Sequence, residues 1–442
     1  MKEKRECLLN SIKNENGMAL VTVLLVLVVV TILGLGLIGL SASNMKMSAG
    51  ERNNQSAYYI AESGMTNAMS IINKEIPDIY KNSYFNSEFI RNFENEFIVK
   101  GIPDYNDFEN SFGKMPVAKI KIESAPNSTL NPFTTEYKIT STGTIDNRSR
   151  SVEKTIRITW NPKSNIKIAS NTVLFIGENL NWANTPATIT GTVGLGLEAD
   201  KKFTGSKIPQ MIKYGDVTIT EPEFPRFTIP SNSNSLAGSN LTISNDMILN
   251  SITVFQSGTL TINVGDINRI LVVDTLKLSS YGKLKLIGDG TLTIYAKNLY
   301  LDYGTILNTG GDVNKLNIFL EGSGSQLNNG MIFGSMFAKN SSFTINDSSG
   351  VQGNVITGGS GIINLNNDKK TTPPTKMIFA PLATVYGNGN FIGTIIAKEF
   401  ISSGNDHWFK FQQLTNPPYF IDNGTVNLPS GNLLTSDPVR EK

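Results

Sequence analysis

The stretch that most constrains this chain is Met18–Leu40. It contains no charged residue, and Thr22 and Thr31 are its only polar side chains. At ~1.5 Å rise per residue, a helix over it would be about 34 Å long, enough to cross a hydrocarbon core of ~30 Å. The remainder of the 442 residues must then be carried by a segment that lies in a membrane or in a helical core. A length of this order predicts about two or three folding units in all.

A short polar leader, residues 1–17, precedes the apolar run and ends in Gly17. It holds Lys2, Lys4, Arg5 and Lys13 against Glu3, Glu6 and Glu15. Basic residues before the span and a long polar portion after it predict a single pass, with the leader in the cytoplasm and the rest outside. Ser41-Ala42-Ser43 offers a small-x-small site, so a cleaved secretory signal is the alternative. The apolar run exceeds the usual ~7–15 residues of such a signal, and the helical pattern continues through the site. Gly34-Leu35-Gly36-Leu37-Ile38-Gly39 fits G-x-G-x-x-G, but a dinucleotide fingerprint needs a strand before it and a helix after it. Inside a span, these glycines read as helix softening or close helix packing.

Beyond the span, Ala57, Ala61, Met65, Ala68, Met69, Ile72 and Ile76 recur at spacings of three and four and mark one helical face. Pro77 is the expected stop. A helix over 18–76 would be ~88 Å long. Its first half would lie in lipid or a helical core, and its second half would pack on a globular unit.

These residues carry a resemblance. Gly17 followed by Met18-Ala19-Leu20-Val21 and an unbroken aliphatic helix resembles the type III signal of type IV pilins. Ala57-Tyr58-Tyr59-Ile60-Ala61-Glu62-Ser63-Gly64-Met65 is similar to the A-x-x-x-A-E-[AS]-G-apolar motif of PilX-type minor pilins. The resemblance implies cutting after Gly17 by a prepilin peptidase, methylation of the new amine on Met18, and passage from the membrane into a filament of other pilin subunits. It names Thr22, Ala57, Tyr58, Tyr59, Ala61, Glu62 and Gly64 as the residues of the filament-assembly helix. Major pilins carry Glu at the fifth mature position, where this chain has Thr22. That departure points to a rare subunit rather than the repeating one.

Residues 77–163 read as a small α+β module. Ile79, Tyr80, Tyr84, Phe85, Phe89, Ile90, Phe93 and Phe97 predict a second helix or helical hairpin. Strands are expected over 117–122, 137–143 and 152–160, with a hairpin turn around 144–148. Tyr137–Gly143 is similar to the sheet-forming segment that follows the long helix in pilin-like proteins. From about 164 to 412 the texture changes to short aliphatic runs of period two, separated by Gly, Asn, Ser and Asp. Leu276-Lys277-Leu278 is echoed by Leu299-Tyr300-Leu301 at an offset near 22, and Gly334–Lys339 by Gly393–Lys398 at an offset of 59. A unit of about 20 residues fits both and is in the range of solenoid repeats. The fold class expected is therefore α+β, with a C-terminal parallel β-helix; an antiparallel sandwich is the alternative. Residues 377–393 resemble a β-helical domain often fused behind PilX-type N-termini. Residues 413–442 are expected to cap the last coil or to form a tail.

Composition narrows the chemistry. Cys7 is the one cysteine and His407 the one histidine, which removes disulfides from a processed chain and leaves His-clustered metal sites and Ser-His-Asp triads without their residues. With 39 basic and 37 acidic residues, nothing predicts nucleic-acid binding. Asp266, Asp274, Asp289, Asp302 and Asp312 are scattered, whereas a polysaccharide-cleaving site needs neighbouring carboxylates. No cofactor or metal is implied. The reading is a non-enzymatic minor pilin-like subunit that displays its head for assembly priming, tip capping or adhesion, with a surface glycan or host ligand as possible partner. Two alternatives stand beside it: a non-polymerising single-span surface protein, and a membrane-tethered polysaccharide-active enzyme.

Overall fold

The computed structural model describes residues 3–109, 115–126, 130–161, 171–182, 188–203, 208, 210–215, 219, 223–322, 330–339, 343–346, 350–366, 373–402, 407–414 and 433–442. The expected boundary at 163–164 lies outside these residues.

One helix, α1 (Glu3–Lys81), dominates the N-terminal part, 79 residues long and about 118 Å at ~1.5 Å per residue. Its apolar front half is bare, with none of the most hydropathic window covered by the chain itself. Its rear half turns one stripe inward: Ala57, Ile60, Ala61, Met65, Ala68, Ile72 and Ile76 are buried. The helix does not stop at Pro77 but runs through it to Lys81. A proline inside a helix costs about 3 kcal/mol. Here the turn beyond it is held by Tyr80, whose hydroxyl donates to the Asn161 carbonyl at 2.8 Å and whose ring lies 5.1 Å from that of Trp160 and 5.9 Å from that of Phe89. Tertiary packing outweighs the local preference.

The expected second helix is shorter than its apolar pattern. Ile79 and Tyr80 belong to α1, and α2 spans Asn86–Glu94, followed by a π-type turn at Asn95–Val99. Phe89, Phe93 and Phe97 form its buried row. They pack on an antiparallel sheet of β1 (Val117–Ser124), β2 (Thr134–Ile145) and β3 (Arg148–Thr159). Ile145 pairs with Arg148 across a two-residue turn in which Asp146 takes a φ of 56°, the left-handed backbone that Asp and Asn tolerate in tight hairpins. Together α1, α2 and this sheet enclose one core.

A second core lies in a large sheet whose described strands all pair in parallel, so the antiparallel alternative does not hold for them. Starting from Met247, one position pairs in turn with Leu271, Ile294, Ile318, Met336, Val355, Ile378 and Ile395. Each step advances the chain by about 20 residues. Leu276 and Leu299 pair directly, as their sequence echo suggested. These aliphatics face one continuous interior. Chain order and stacking order differ. Ile395 pairs next with Leu174 of β4 (Thr172–Trp182), then Leu174 with Val193 and Val193 with Met211. The chain thus enters the stack beside Phe391–Ser402, builds outward to Met211–Gly215, and resumes at the far end with Ser235–Ile243.

The segment that makes this return covers an apolar stripe on the outside of the sheet. Successive strand residues point to opposite faces, so Val272, Tyr295, Phe319, Phe337, Ile356, Phe379 and Ile396 form a second, outer cluster. Phe224 sits 5.2 Å from Phe337, Phe227 sits 5.8 Å from Tyr295, and Ile229 packs on the same cluster. Hydrophobic residues on both faces of these strands are explained by this strap.

Residues 434–441 are not placed as a cap on the last coil. Leu434–Ser436 pairs antiparallel with Ile158–Ile156 of β3, and Arg440–Glu441 pairs with Glu153–Val152. Trp160 and Leu433 are both buried in the core of the N-terminal module. The parallel-stranded body is therefore connected to that module at two adjacent points, rather than following it in simple tandem.

Candidate assembly face of the long helix

The motif residues of α1 separate by direction. Ala57, Ala61 and Gly64 are buried against the sheet. A β-carbon on Gly64 would stand 2.4 Å from the Ala118 β-carbon and 2.7 Å from Ser141 Oγ. A β-carbon on Gly143, in β2, would stand 2.2 Å from the Ala57 carbonyl oxygen and 2.4 Å from the Ala61 nitrogen. Helix and strand approach backbone to backbone at this crossing, and only small residues permit it. The A-x-x-x-A-x-x-G spacing is thus a packing face within the chain. Gly143 was not singled out by the sequence reading, although a glycine inside a strand is the signal of such an approach.

Tyr58 and Glu62 lie at the flank of this face. The Tyr58 hydroxyl donates to Glu62 Oε1 at 2.9 Å, and that hydrogen bond raises the phenol above its ordinary value, with burial and the Glu62 charge adding to it. Tyr58 and Tyr59 border a polar cleft completed by Glu51, Arg150 and Glu441. Tyr59 points outward, 65% exposed, with its ring edge-on to Tyr58 at 5.8 Å.

The front half presents only itself. Gly17 and Met18 lie within α1, Met18 being 71% exposed. Thr22 is exposed, and its hydroxyl donates to the Met18 carbonyl at 2.8 Å. A carboxylate at this position would be an unpaired charge in an apolar surface; the threonine instead satisfies its one donor within its own helix. Thr31 does the same to Leu27 at 2.7 Å.

The rear of the sheet is closed by charge. Arg157 donates from Nη1 and Nη2 to both carboxylate oxygens of Asp437, at 2.7 and 3.2 Å, and from Nε to Glu136 at 2.7 Å. Asp437, then Glu136, holds the guanidinium charge more firmly, and Arg157 holds the Asp437 carboxyl below its ordinary value. Arg150 pairs with Glu441 at 2.8 Å. Lys138 and Lys442 flank Glu153 at 2.7 and 3.0 Å and lower its carboxyl. Arg150 and Arg157 therefore bind the returning strand. Among the described residues no group of three or more His, Cys, Asp or Glu could hold a metal ion.

Residues 16–66 match the family model described as PilX N-terminal. The match covers the Gly17-Met18 junction, the bare apolar half of α1 and the small-residue crossing. This part of the chain is type IV pilin-like. No curated protein is measurably similar to the chain. Among solved structures, the competence-associated pilin ComZ from Thermus thermophilus aligns over 88% of this chain and 98% of its own, at 10% identity and a TM-score of 0.23. That score lies below the level at which two chains share a fold.

Proposed function

We propose that the protein is a non-enzymatic, minor pilin-like subunit. A prepilin peptidase cuts it after Gly17, the amine of Met18 is methylated, and α1 then leaves the membrane to join a pilus or related filament. The observation that carries this reading is the division of α1. Its front half is apolar and uncovered over a membrane's thickness, while its rear half is fixed to its own sheet by Ala57, Ala61 and Gly64. Such a helix has a free half to bury among neighbouring helices and a rigid half that carries a head.

The head in this reading is a parallel β-helix, supported by the unbroken parallel register from Met247 to Ile395. Its bulk and the Thr22 position favour a tip, priming or sparse role over that of the repeating subunit. Before assembly the chain spans the cytoplasmic membrane once with its head outside; a glycan or host surface is the ligand class for an adhesive head.

The test is recovery of the chain with filaments sheared from cells. Wild-type chain is expected in the filament fraction in small proportion. A Gly17→Arg variant, uncut at the junction, is expected in the membrane fraction alone. Equal recovery of both variants from the membrane, with none in filaments, would remove the filament role and leave a surface protein with one span.

A further inference from the structure

We propose that the protein dimerises through the far end of its parallel body: the end strand, Ser235–Ile243, pairs antiparallel with the same strand of a second copy about a two-fold axis. The inference goes beyond the function proposed above and holds whether or not α1 is processed.

The two ends of the parallel stack differ. At one end the short helix α3 (Leu197–Lys202) packs on the stack with Ala199 in its core, and Glu198, Asp200, Lys201 and Lys202 make it charged. Lys213 of the outermost strand, Met211–Gly215, pairs with Asp200 at 2.8 Å. Charge at a sheet edge opposes the addition of another strand. The other end has no such device. Ser235–Ile243 pairs in parallel with Met247–Gly265, and among the described strands nothing pairs with its other side. Its outward edge therefore offers a row of backbone donors and acceptors, a template for another strand. The strand is nine residues long, and no charged residue lies between Arg226 and Asp246. The core is also incompletely covered here. Leu236 and Leu241 are only partly buried against it, whereas their stack neighbours Ile252 and Leu260 are fully buried.

The pattern of this strand matches itself. Leu236, Leu241 and Ile243 face the core, and a β-carbon on Gly238 would stand 3.2 Å from the Leu241 side chain. Ala237, Ser239, Asn240 and Thr242 are exposed. The alternation reverses between Ser239 and Asn240, at the corner where the register with the next strand also shifts. Inward and outward positions thus read the same in both directions about that corner. Opposite residues of an antiparallel pair face the same side. A copy turned about a two-fold axis at the corner sets Leu236 against Ile243 and Gly238 against Leu241 inside, and Ala237 against Thr242 outside. The two cores become continuous, the half-covered leucines are buried, and both open edges are paired. Such an isologous contact closes at two copies. A head-to-tail stack would instead lay this uncharged edge on the charged α3 end.

Nine strand-to-strand steps separate this strand from β4, where the chain enters the stack. At ~4.8 Å per step that is about 43 Å. The two β4 strands of a dimer would stand roughly 90 Å apart, which suits chains borne on facing surfaces rather than neighbours in one helical bundle.

The experiment measures the oligomeric state of full-length chain in mild detergent, by native mass spectrometry over a range of protein concentrations. Positions 237 and 242 are exposed and lie beside Thr253 and Thr261 of the next strand, so both accept a charged side chain without entering the core. Wild-type chain is expected to form a dimer. Ala237→Lys/Thr242→Lys sets like charges opposite each other and is expected to weaken the dimer by roughly tenfold or more. Ala237→Lys/Thr242→Glu sets opposite charges against each other in the same register and is expected to recover it. A wild-type chain that stays monomeric overturns the inference. So does a dimer that all three chains form equally, which assigns association to α1 or another surface. A Lys/Glu variant as weak as the Lys/Lys variant, with unchanged thermal unfolding in both, overturns the two-fold pairing.

Discussion

Gly143 and Lys376 each take their role from what lies across from them in the fold. At Gly143 a methyl group would meet the backbone of α1 at Ala57 and Ala61, not a side chain that can rotate away. Gly143→Ala is expected to destabilise the N-terminal module by roughly 1–3 kcal/mol, read by thermal unfolding. Tyr59→Ala, on the exposed side of the same helix, should change stability by less than about 0.5 kcal/mol. Lys376 is fully buried, with its Nζ donating to the Val351 carbonyl at 2.7 Å, and burial lowers its amine to about 7. Unfolded, the amine would hold its proton up to its ordinary 10.5. Between these values the unfolded chain binds more protons, so stability should rise with pH from about 7 to 10.5. Lys376→Met should remove that rise and stabilise the body at neutral pH by roughly 1–4 kcal/mol. Chemical denaturation at pH 7 and pH 10 checks both. Neither residue was legible as critical in the sequence, because a Gly143 inside one strand and a Lys376 beside prolines acquire their meaning only from what lies across from them.

Two elements join the parts of the molecule, and both act through carboxylates. The returning strand at 434–441 is held to β3 by Arg157–Asp437, Arg150–Glu441 and Lys442–Glu153. The Asp437 and Glu153 carboxyls are held below their ordinary values of 3.8 and 4.5, by Arg157 and by Lys138 with Lys442. Their contribution is complete above those values and is lost as pH falls through the lowered ones. Amide hydrogen exchange over 434–441 should therefore quicken at about pH 3 relative to neutral pH, beyond the change in intrinsic rate, while β2 stays protected. The strap provides the second join. Glu223 Oε2 accepts from the Asn86 amide at 2.6 Å, at the start of α2, where Phe85 offers no side-chain cap. A carboxylate at a helix start satisfies a free amide and complements the helix dipole. Glu223→Ala is expected to cost about 1 kcal/mol and to raise exchange at the first turn of α2 without altering the parallel strands. The helical face of 57–76, the hairpin at 145–148 and the direct echo of 276–278 in 299–301 could all be read from periodicity. The strap and the returning strand could not, since each is a short segment whose partners lie far away in sequence.

At the scale of the whole molecule, the head is attached to the module through Trp160 on one side and Leu433 on the other, next to each other in one core. The sheet strand β3 shares its core with the rear half of α1, while the apolar front half is covered by nothing else in the chain. The expectation of an apolar span followed by a helix fixed to a sheet came from the sequence because apolar runs and i, i+3, i+4 spacing are local properties. The order in which the chain builds its parallel body was not readable, because β4 pairs with Phe391–Ser402, more than 200 residues later in the chain. Whether α1 is a processed helix that leaves the membrane is tested most directly by mass spectrometry of the chain's N-terminus, on protein recovered from the cell surface: a chain that starts at Met18 with an N-methylated amine is expected. A chain that still carries its leader, or one that starts at Asn44, would contradict it.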